Sequence, residues 1–295
     1  HVGGCSSTSN VLAGRIYGIP VRGTHAHSWV MLFDDELESF LAYARALPAN
    51  CVLLVDTYDS LRGVQRAIEV GRWLRGRGHR LAGIRLDSGD LAWLSVEARR
   101  MLDEAGFRDA AILASNELDE AVIQSLKEQG AAIAVWGVGT RLVTGWGEPA
   151  LGGVYKLSAS REPGEPWKRR VKISEQAAKT TIPGILQVRR YSGPAGFLAD
   201  VIYDEEMGLP AAPEMVDPID PTRRRVLPEG AAGEDLLVPV VRGGRVVRES
   251  PPLREMRERT LAQLSRLHPG IKRFVHPHQY PVGLERGLHE LRTRL

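Results

Sequence analysis

Cysteine is scarce in this 295-residue chain: Cys5 and Cys51 cannot build a disulfide framework, and their rarity predicts a reducing, cytoplasmic setting. Long apolar runs are missing too, and none approaches the roughly 18 residues that a membrane-spanning helix requires. Net charge is nearly absent. Lys and Arg total 39 against 36 Asp and Glu, and a formal +3 spread along the chain excludes an extended nucleic-acid groove while allowing local anion sites. Low-complexity and collagen-like repeats are absent, and 43% hydrophobic with 25% charged residues is the composition of a globular chain. An initial methionine is missing as well. The chain opens on His1, and HVGGCSSTSN reads as a loop in mid-course, so the expectation is a segment of a longer polypeptide.

What is present first is a rhythm. CVLLVDT (51–57), RLAGIRLD (80–87), AAILASN (110–116) and AAIAVWGVG (131–139) are short aliphatic runs starting about 22–29 residues apart. Helical patterns over 61–74, 90–104 and 118–129 lie between them. Leu91, Leu94, Ala98 and Leu102 form one apolar stripe, with Asp90 as N-cap and Gly106 as the stop. This alternation predicts an α/β fold with a parallel sheet whose strands are apolar on both faces. Each run ends in polar residues: Asp56-Thr57-Tyr58-Asp59, Arg85 to Asp90, Ser115-Asn116-Glu117 and Gly137-Val138-Gly139-Thr140. Ligands of parallel α/β folds gather at the carboxyl ends of strands, so four such clusters outline a site.

Beyond about residue 160 the pattern changes to short alternating runs rich in basic residues, Pro and Gly. GFLADVIYD (196–204) and LLVPVVRGGRVV (236–247) are predicted strands, with Gly243-Gly244 as a tight hairpin turn. PLREMRERTLAQLSRL (252–267) and the closing GLERGLHELRTRL are predicted helices. A boundary is expected near 185–195, dividing a catalytic α/β domain (1–190) from a C-terminal β-rich and helical segment (191–295).

GTHAHSWVM (23–31) places His25 and His27 two apart after a predicted strand, on one side of an extended chain. A metal pair, a buried structural histidine, or an acid/base or nucleophilic imidazole would each suit this spacing. In RLDSGDL (85–91), Asp90 has a capping role, whereas Asp87 stands at a strand end beside Arg85. A carboxylate there can accept from ribose hydroxyls or hold a divalent cation near phosphate. Arg85 can neutralise an anion or lie against an aromatic ring. The glycines of GVGT let backbone N–H groups approach a phosphate, and Arg141 adds positive charge. The tract Lys168-Arg169-Arg170-Lys172 is a second candidate for phosphate, or simply a solvated face.

Taken in order, GTHAHSWV, VDTYDS, GIRLDSGDL, ASNELDE and GVGT resemble nicotinate phosphoribosyltransferases. The opening GGCSSTSNVLAG resembles that family's GG-x-x-GTSN-x-LAG segment, with Ser7 where glycine is usual. SEQAAKTTIPG, SPPLREMR and HPHQYPVGLERGLHEL continue the resemblance over nearly the whole chain. It implies an irregular parallel (β/α) barrel, as in type II phosphoribosyltransferases, with a smaller α+β segment of a second, incomplete domain. It implies joining of nicotinate to 5-phosphoribosyl-1-pyrophosphate, coupled to ATP hydrolysis and requiring Mg²⁺ carried mainly by pyrophosphate. By the same resemblance His27 is the phosphorylated histidine, Asp87 takes the ribose hydroxyls, and Arg85 lies beside the pyridine ring. Gly137, Gly139 and Thr140 hold the 5-phosphate, while Thr24, Asp56, Thr57, Ser88, Gly89, Asp90, Ser115 and Asn116 line the substrate site. A homodimer is implied, whose partner supplies an aromatic wall from a region preceding this stretch.

Three alternatives compete. A nicotinamide phosphoribosyltransferase would share fold and histidine, differing in the cation that meets a carboxylate. A barrel aldolase or isomerase acting on a sugar phosphate would explain GVGT, yet the βα region has no strand-end lysine for a Schiff base. A non-catalytic binding fragment is the third.

Overall fold

A computed structural model describes residues 1–175 and 180–295. It divides into two compact units, one formed by Val21–Gly152 and the other by His1–Pro20 together with Gly153–Leu295. The boundary expected near 185–195 is not where the chain divides. Residues 1–20 fold with the later part because Arg257 donates to the carbonyls of Gly4 (2.9 Å) and Cys5 (3.2 Å), and Leu261 lies against Gly4. The segment SEQAAKTTIPG runs through 176–179, so that part of it lies outside the described residues.

In the Val21–Gly152 unit, strands β1 (Cys51–Leu54), β2 (Leu81–Leu86), β3 (Ala111–Ala114) and β4 (Val135–Trp136) form a parallel sheet in sequential order. Helices Ser60–Arg75, Leu91–Glu104 and Glu120–Glu128 follow the first three strands. Each opens on an aspartate. Asp59, Asp90 and Asp119 accept from the backbone N–H of Arg62, Trp93 and Val122, satisfying donors that a helix start leaves free. β1 is buried at every residue, as a parallel strand covered on both faces should be. The stripe Leu91, Leu94, Ala98 and Leu102 is buried, and a fully buried leucine contributes about 2 kcal/mol. Gly106, at φ +80°, stops that helix as expected.

The helix Ser60–Arg75 approaches the end of β1 very closely. A Cβ on Gly63 would stand 1.9 Å from the Val55 carbonyl oxygen, so only glycine fits there. The predicted run AAIAVWGVG shortens to two strand residues, although Ala134 and Gly137 still donate to the carbonyls of Ile112 and Ala114. Among the described residues the parallel sheet has four strands in sequential order, the α/β arrangement expected.

The other unit holds a six-stranded mixed sheet in the order Arg224–Val226, Glu214–Val216, Val282–Glu285, Gly196–Asp204, Leu186–Gly193 and Ala232–Asp235. Only Val282–Glu285 and Gly196–Asp204 run parallel. Its small core contains Tyr191, Ala199, Val201, Met215 and Leu227. Arg190 clamps Asp200 with two hydrogen bonds (2.9 and 2.7 Å), and Tyr280 donates to the same carboxylate at 2.8 Å. The basic tract is partly consumed here, since Arg169 pairs with Asp204 and Glu206 and Arg170 donates to Ser160. Gly243 and Gly244, both at positive φ, turn the hairpin Val241–Arg242/Arg245–Val246 as expected. The predicted helices are Leu253–Ser265 and Arg286–Arg294. Cys5 is exposed and Cys51 buried, both as free thiols. Among the described residues, no helix is long and apolar enough to cross a membrane.

Candidate active site

The site lies at the carboxyl ends of β1, β2 and β3. Parallel pairing puts these ends side by side, with Leu54 opposite Arg85 and Leu86 opposite Ala114. Arg85 is the last outward residue but one of β2 and spreads its whole fork. Nε donates to Ser115 Oγ (2.8 Å), Nη1 to Thr24 Oγ1 (2.8 Å) and to the His25 carbonyl (3.3 Å), and Nη2 faces Asp87 Oδ2 at 3.3 Å. The Ser115 hydroxyl in turn donates to Asp87 Oδ1. Asp56, just beyond β1, accepts from the Asp87 backbone N–H and the Ser88 hydroxyl, both at 2.7 Å. That clamp fixes the turn after β2, and Gly89 at φ +75° lets it fold back into the helix.

Asp87 is thereby the centre of the network. Burial alone would raise its carboxyl, but the Ser115 hydroxyl, the Arg85 guanidinium and His27 together hold it below the usual carboxylate range. His27 stands on its other side, with Nε2 3.4 Å from Asp87 Oδ2 and Nδ1 3.1 Å from Thr57 Oγ1. The carboxylate can only accept, which suits the tautomer with its hydrogen on Nε2. In the neutral ring Nδ1 then keeps its lone pair, and the Thr57 hydroxyl donates to it.

The two histidines do not share a direction. The chain before Ala26 is irregular rather than a strand, and His27 begins the short helix His27–Met31, which turns its ring away from His25. His25 is buried against Tyr43 and Phe40, and its Nε2 accepts from the Leu54 backbone N–H at 3.1 Å. Burial first, with Arg85 and His27 adding to it, lowers its pKa to about 4, so it stays neutral. A metal pair of His25 and His27 is therefore ruled out by geometry.

The structure thus joins Thr24, His27, Asp56, Thr57, Arg85, Asp87, Ser88 and Ser115 by direct contacts. Gly137 lies beside Ser115, where its absent Cβ would make ordinary contact at 3.4 Å. Gly139 and Thr140 open the single turn Thr140–Val143. Asp90 spends its carboxylate on the helix cap. Asn116 accepts from the Glu117 N–H and adopts φ 97°, a left-handed backbone that costs energy in a non-glycine residue. Arg141 is not free beside the GVGT loop, because it pairs with Asp119 and Glu117. Sequence spacing did not expose the Thr57–His27 contact or the bridging part of Ser115. The only signal was their common place at strand ends. Among the described residues, no group of three or more His, Cys, Asp or Glu side chains is placed to hold a metal ion.

Residues 187–292 match the family model described as the nicotinate phosphoribosyltransferase C-terminal domain. A Bacillus subtilis (strain 168) nicotinate phosphoribosyltransferase is 40% identical over 307 residues, spanning 100% of this chain and 62% of that protein. Over its whole length the chain is similar to nicotinate phosphoribosyltransferases. The human nicotinate phosphoribosyltransferase is 32% identical over 99% of the chain, which spans 64% of it. The crystal structure of human nicotinic acid phosphoribosyltransferase superposes with a TM-score of 0.78 at 28% identity, covering 100% of this chain and 65% of that one. The fold also matches nicotinate-nucleotide pyrophosphorylase from Pyrococcus furiosus, with a TM-score of 0.57 at 21% identity over 90% of this chain and 60% of that one. The chain therefore spans somewhat under two thirds of these family members, with the β-strand ends and their network inside the matched region.

Proposed function

We propose that this chain carries the catalytic strand ends of an ATP-coupled nicotinate phosphoribosyltransferase of NAD biosynthesis. The observation that carries this reading is Asp87 held ionised between Arg85 and His27 at the mouth of a parallel sheet. Likeness to nicotinate phosphoribosyltransferases supports the substrate class.

In the reaction, the pyridine nitrogen of nicotinate attacks C1 of 5-phosphoribosyl-1-pyrophosphate. The C1–O bond breaks, and pyrophosphate leaves with its electron pair. The sugar passes through an oxocarbenium-like state, so positioning and fixed charge matter more than proton transfer. Asp87, anchored by Ser115 and the Asp56 clamp, accepts from the ribose hydroxyls. Arg85 lies against the pyridine ring, its plane fixed by Ser115 and Thr24. The N–H groups around Gly137, Gly139 and Thr140 receive the 5-phosphate. Among the described residues no three His, Cys, Asp or Glu side chains are grouped to cage a metal ion. Mg²⁺ brought in with pyrophosphate would supply charge neutralisation of the leaving group.

ATP enters through His27. The Nδ1 lone pair attacks the γ-phosphorus, the bond to the β-phosphate oxygen breaks, and ADP departs. The Nε2 hydrogen stays in place facing Asp87, whose carboxylate balances the positive charge of the phosphorylated ring. Hydrolysis of this phosphohistidine then drives product release. The working unit is a cytoplasmic homodimer.

Pyrophosphate release from phosphoribosyl pyrophosphate should require nicotinate and rise with ATP, and radiolabel from γ-labelled ATP should reach the protein but not a His27→Ala variant. Release that depends on nicotinamide instead would transfer the reading to the amide enzyme. Absence of both release and label would overturn it.

A further inference from the structure

We propose that Thr57 is a positioning residue that fixes the ring direction of His27 through a hydrogen bond to Nδ1, its nucleophilic nitrogen. This rests on the ATP-coupled reading above and goes beyond the substrate-lining part expected for Thr57.

The geometry that points to this has three parts. The His27 ring is held at both nitrogens, by Thr57 Oγ1 at 3.1 Å from Nδ1 and Asp87 Oδ2 at 3.4 Å from Nε2. A carboxylate that only accepts favours the Nε2–H form of the neutral ring, and the Thr57 hydroxyl, able to donate or accept, then donates to Nδ1. The loop carrying Thr57 is itself pinned on both sides. Asp56 accepts from the Asp87 N–H and the Ser88 hydroxyl, and Asp59 accepts from the Arg62 N–H at 2.8 Å. Behind it, the helix Ser60–Arg75 seats Gly63 directly on the Val55 carbonyl. Consequently the two groups that grip the imidazole belong to one connected frame, because the residue preceding Thr57 holds the turn that bears Asp87.

The chemical consequence is specific. In the Nε2–H tautomer, the Nδ1 lone pair is the only one the ring can offer to phosphorus. Thr57 points that lone pair along its own hydroxyl direction. On transfer, the Nδ1–P bond forms, the γ-phosphoryl bond to ADP breaks, and ADP takes the electron pair. The Thr57 hydroxyl, displaced from Nδ1, is then free to donate to a phosphoryl oxygen. A side chain of the same shape without a hydroxyl keeps the packing and loses the hold on Nδ1.

The test uses the chain labelled with ¹⁵N-histidine, with the His27 signals assigned by their loss in His27→Gln. The unmodified protein should show an Nε2–H ring with an accepting Nδ1. Thr57→Val should shift the Nδ1 signal toward that of a lone pair without a hydrogen bond while Nε2 stays protonated, and Thr57→Ser should restore the original pattern. The initial rate of phosphoryl uptake from γ-labelled ATP should fall about tenfold or more in Thr57→Val, the cost expected for one lost hydrogen bond, and recover in Thr57→Ser. A Thr57→Val protein with an unchanged ¹⁵N pattern overturns the proposal, as does a Thr57→Ser protein no better than the valine variant. If no variant takes up label, the ATP-coupled reading falls, and the ¹⁵N pattern alone still decides the hold on Nδ1.

Discussion

Asp87 Oδ2 stands 3.3 Å from Arg85 Nη2, while Arg85 Nε and Asp87 Oδ1 are bridged by the single hydroxyl of Ser115. Guanidinium, hydroxyl and carboxylate therefore form a closed ring in which each member fixes the other two. Such a ring holds a charged acceptor at a strand end without letting it swing, which is what the ribose-binding part proposed for Asp87 requires.

Asp87→Asn should lower nicotinate-dependent pyrophosphate release by roughly 10²-fold or more, because the acceptor for ribose and the counter-charge of His27 disappear together. Steady-state kinetics would check it. A variant within about threefold of the parent would remove Asp87 from the transfer step. The same substitution reports on acid stability. The folded carboxyl sits below its unfolded value, so its stabilisation is present above about pH 4 and is lost as pH falls through the lower folded value. Urea unfolding at decreasing pH should show a shallower loss in Asp87→Asn.

Arg85→Lys keeps the charge but not the fork. A lysine ammonium cannot hold Ser115, Thr24 and Asp87 at once, so turnover should fall about 10²-fold with the chain still folded. Circular dichroism together with the kinetic constants distinguishes this from unfolding. An Arg85→Lys protein with parental rates would mean the fork is dispensable.

His25 should make stability rise with pH. Its folded pKa of about 4 lies below the ordinary histidine value of 6.5, so the unfolded chain binds a proton that the folded chain refuses between these values. Stabilisation is present above pH 6.5 and is lost as pH falls toward 4, by about 3 kcal/mol in all. Protonation would also end the acceptance of the Leu54 N–H at Nε2. His25→Gln supplies an acceptor without titrating, and denaturant curves at pH 7.5 and 4.5 should therefore differ less in that variant.

Gly63→Ala should be severe. Its methyl group would have to occupy space 1.9 Å from a backbone oxygen, so the helix must lift from β1. A loss of about 3 kcal/mol is expected, visible as a lower melting temperature. Gly76→Ala, with nothing nearer than 3.7 Å, is the control and should melt close to the parent.

Much of this arrangement was legible from residues alone, for physical reasons. β1 is buried throughout, and β2 and β3 leave no residue fully exposed, so they appear as largely aliphatic runs, and the aspartates that cap the following helices mark where each run ends. GVGT and the RLDSGDL turn could be placed at strand ends by the same rhythm. The directions of the two histidines could not be read, because the i, i+2 rule presumes an extended chain and the helix starts at His27 itself. The capture of Arg141 by Asp119 depends on how a strand-end loop folds back on a neighbouring helix cap, which spacing does not encode. Nor did composition reveal the division of the chain. Residues 1–20 join the later unit through a few specific bonds from Arg257 to carbonyls, and carbonyls carry no sequence signal.

That division has a consequence for how damage spreads. The chain enters the Val21–Gly152 unit once and leaves it once, so the unit bearing His27 and Asp87 is a single uninterrupted cassette. Its neighbour is written in two separated stretches and needs both to complete one body. A lesion among the first twenty residues is therefore felt first in the body that also contains 187–292, while the cassette with the chemistry keeps every residue of its own core.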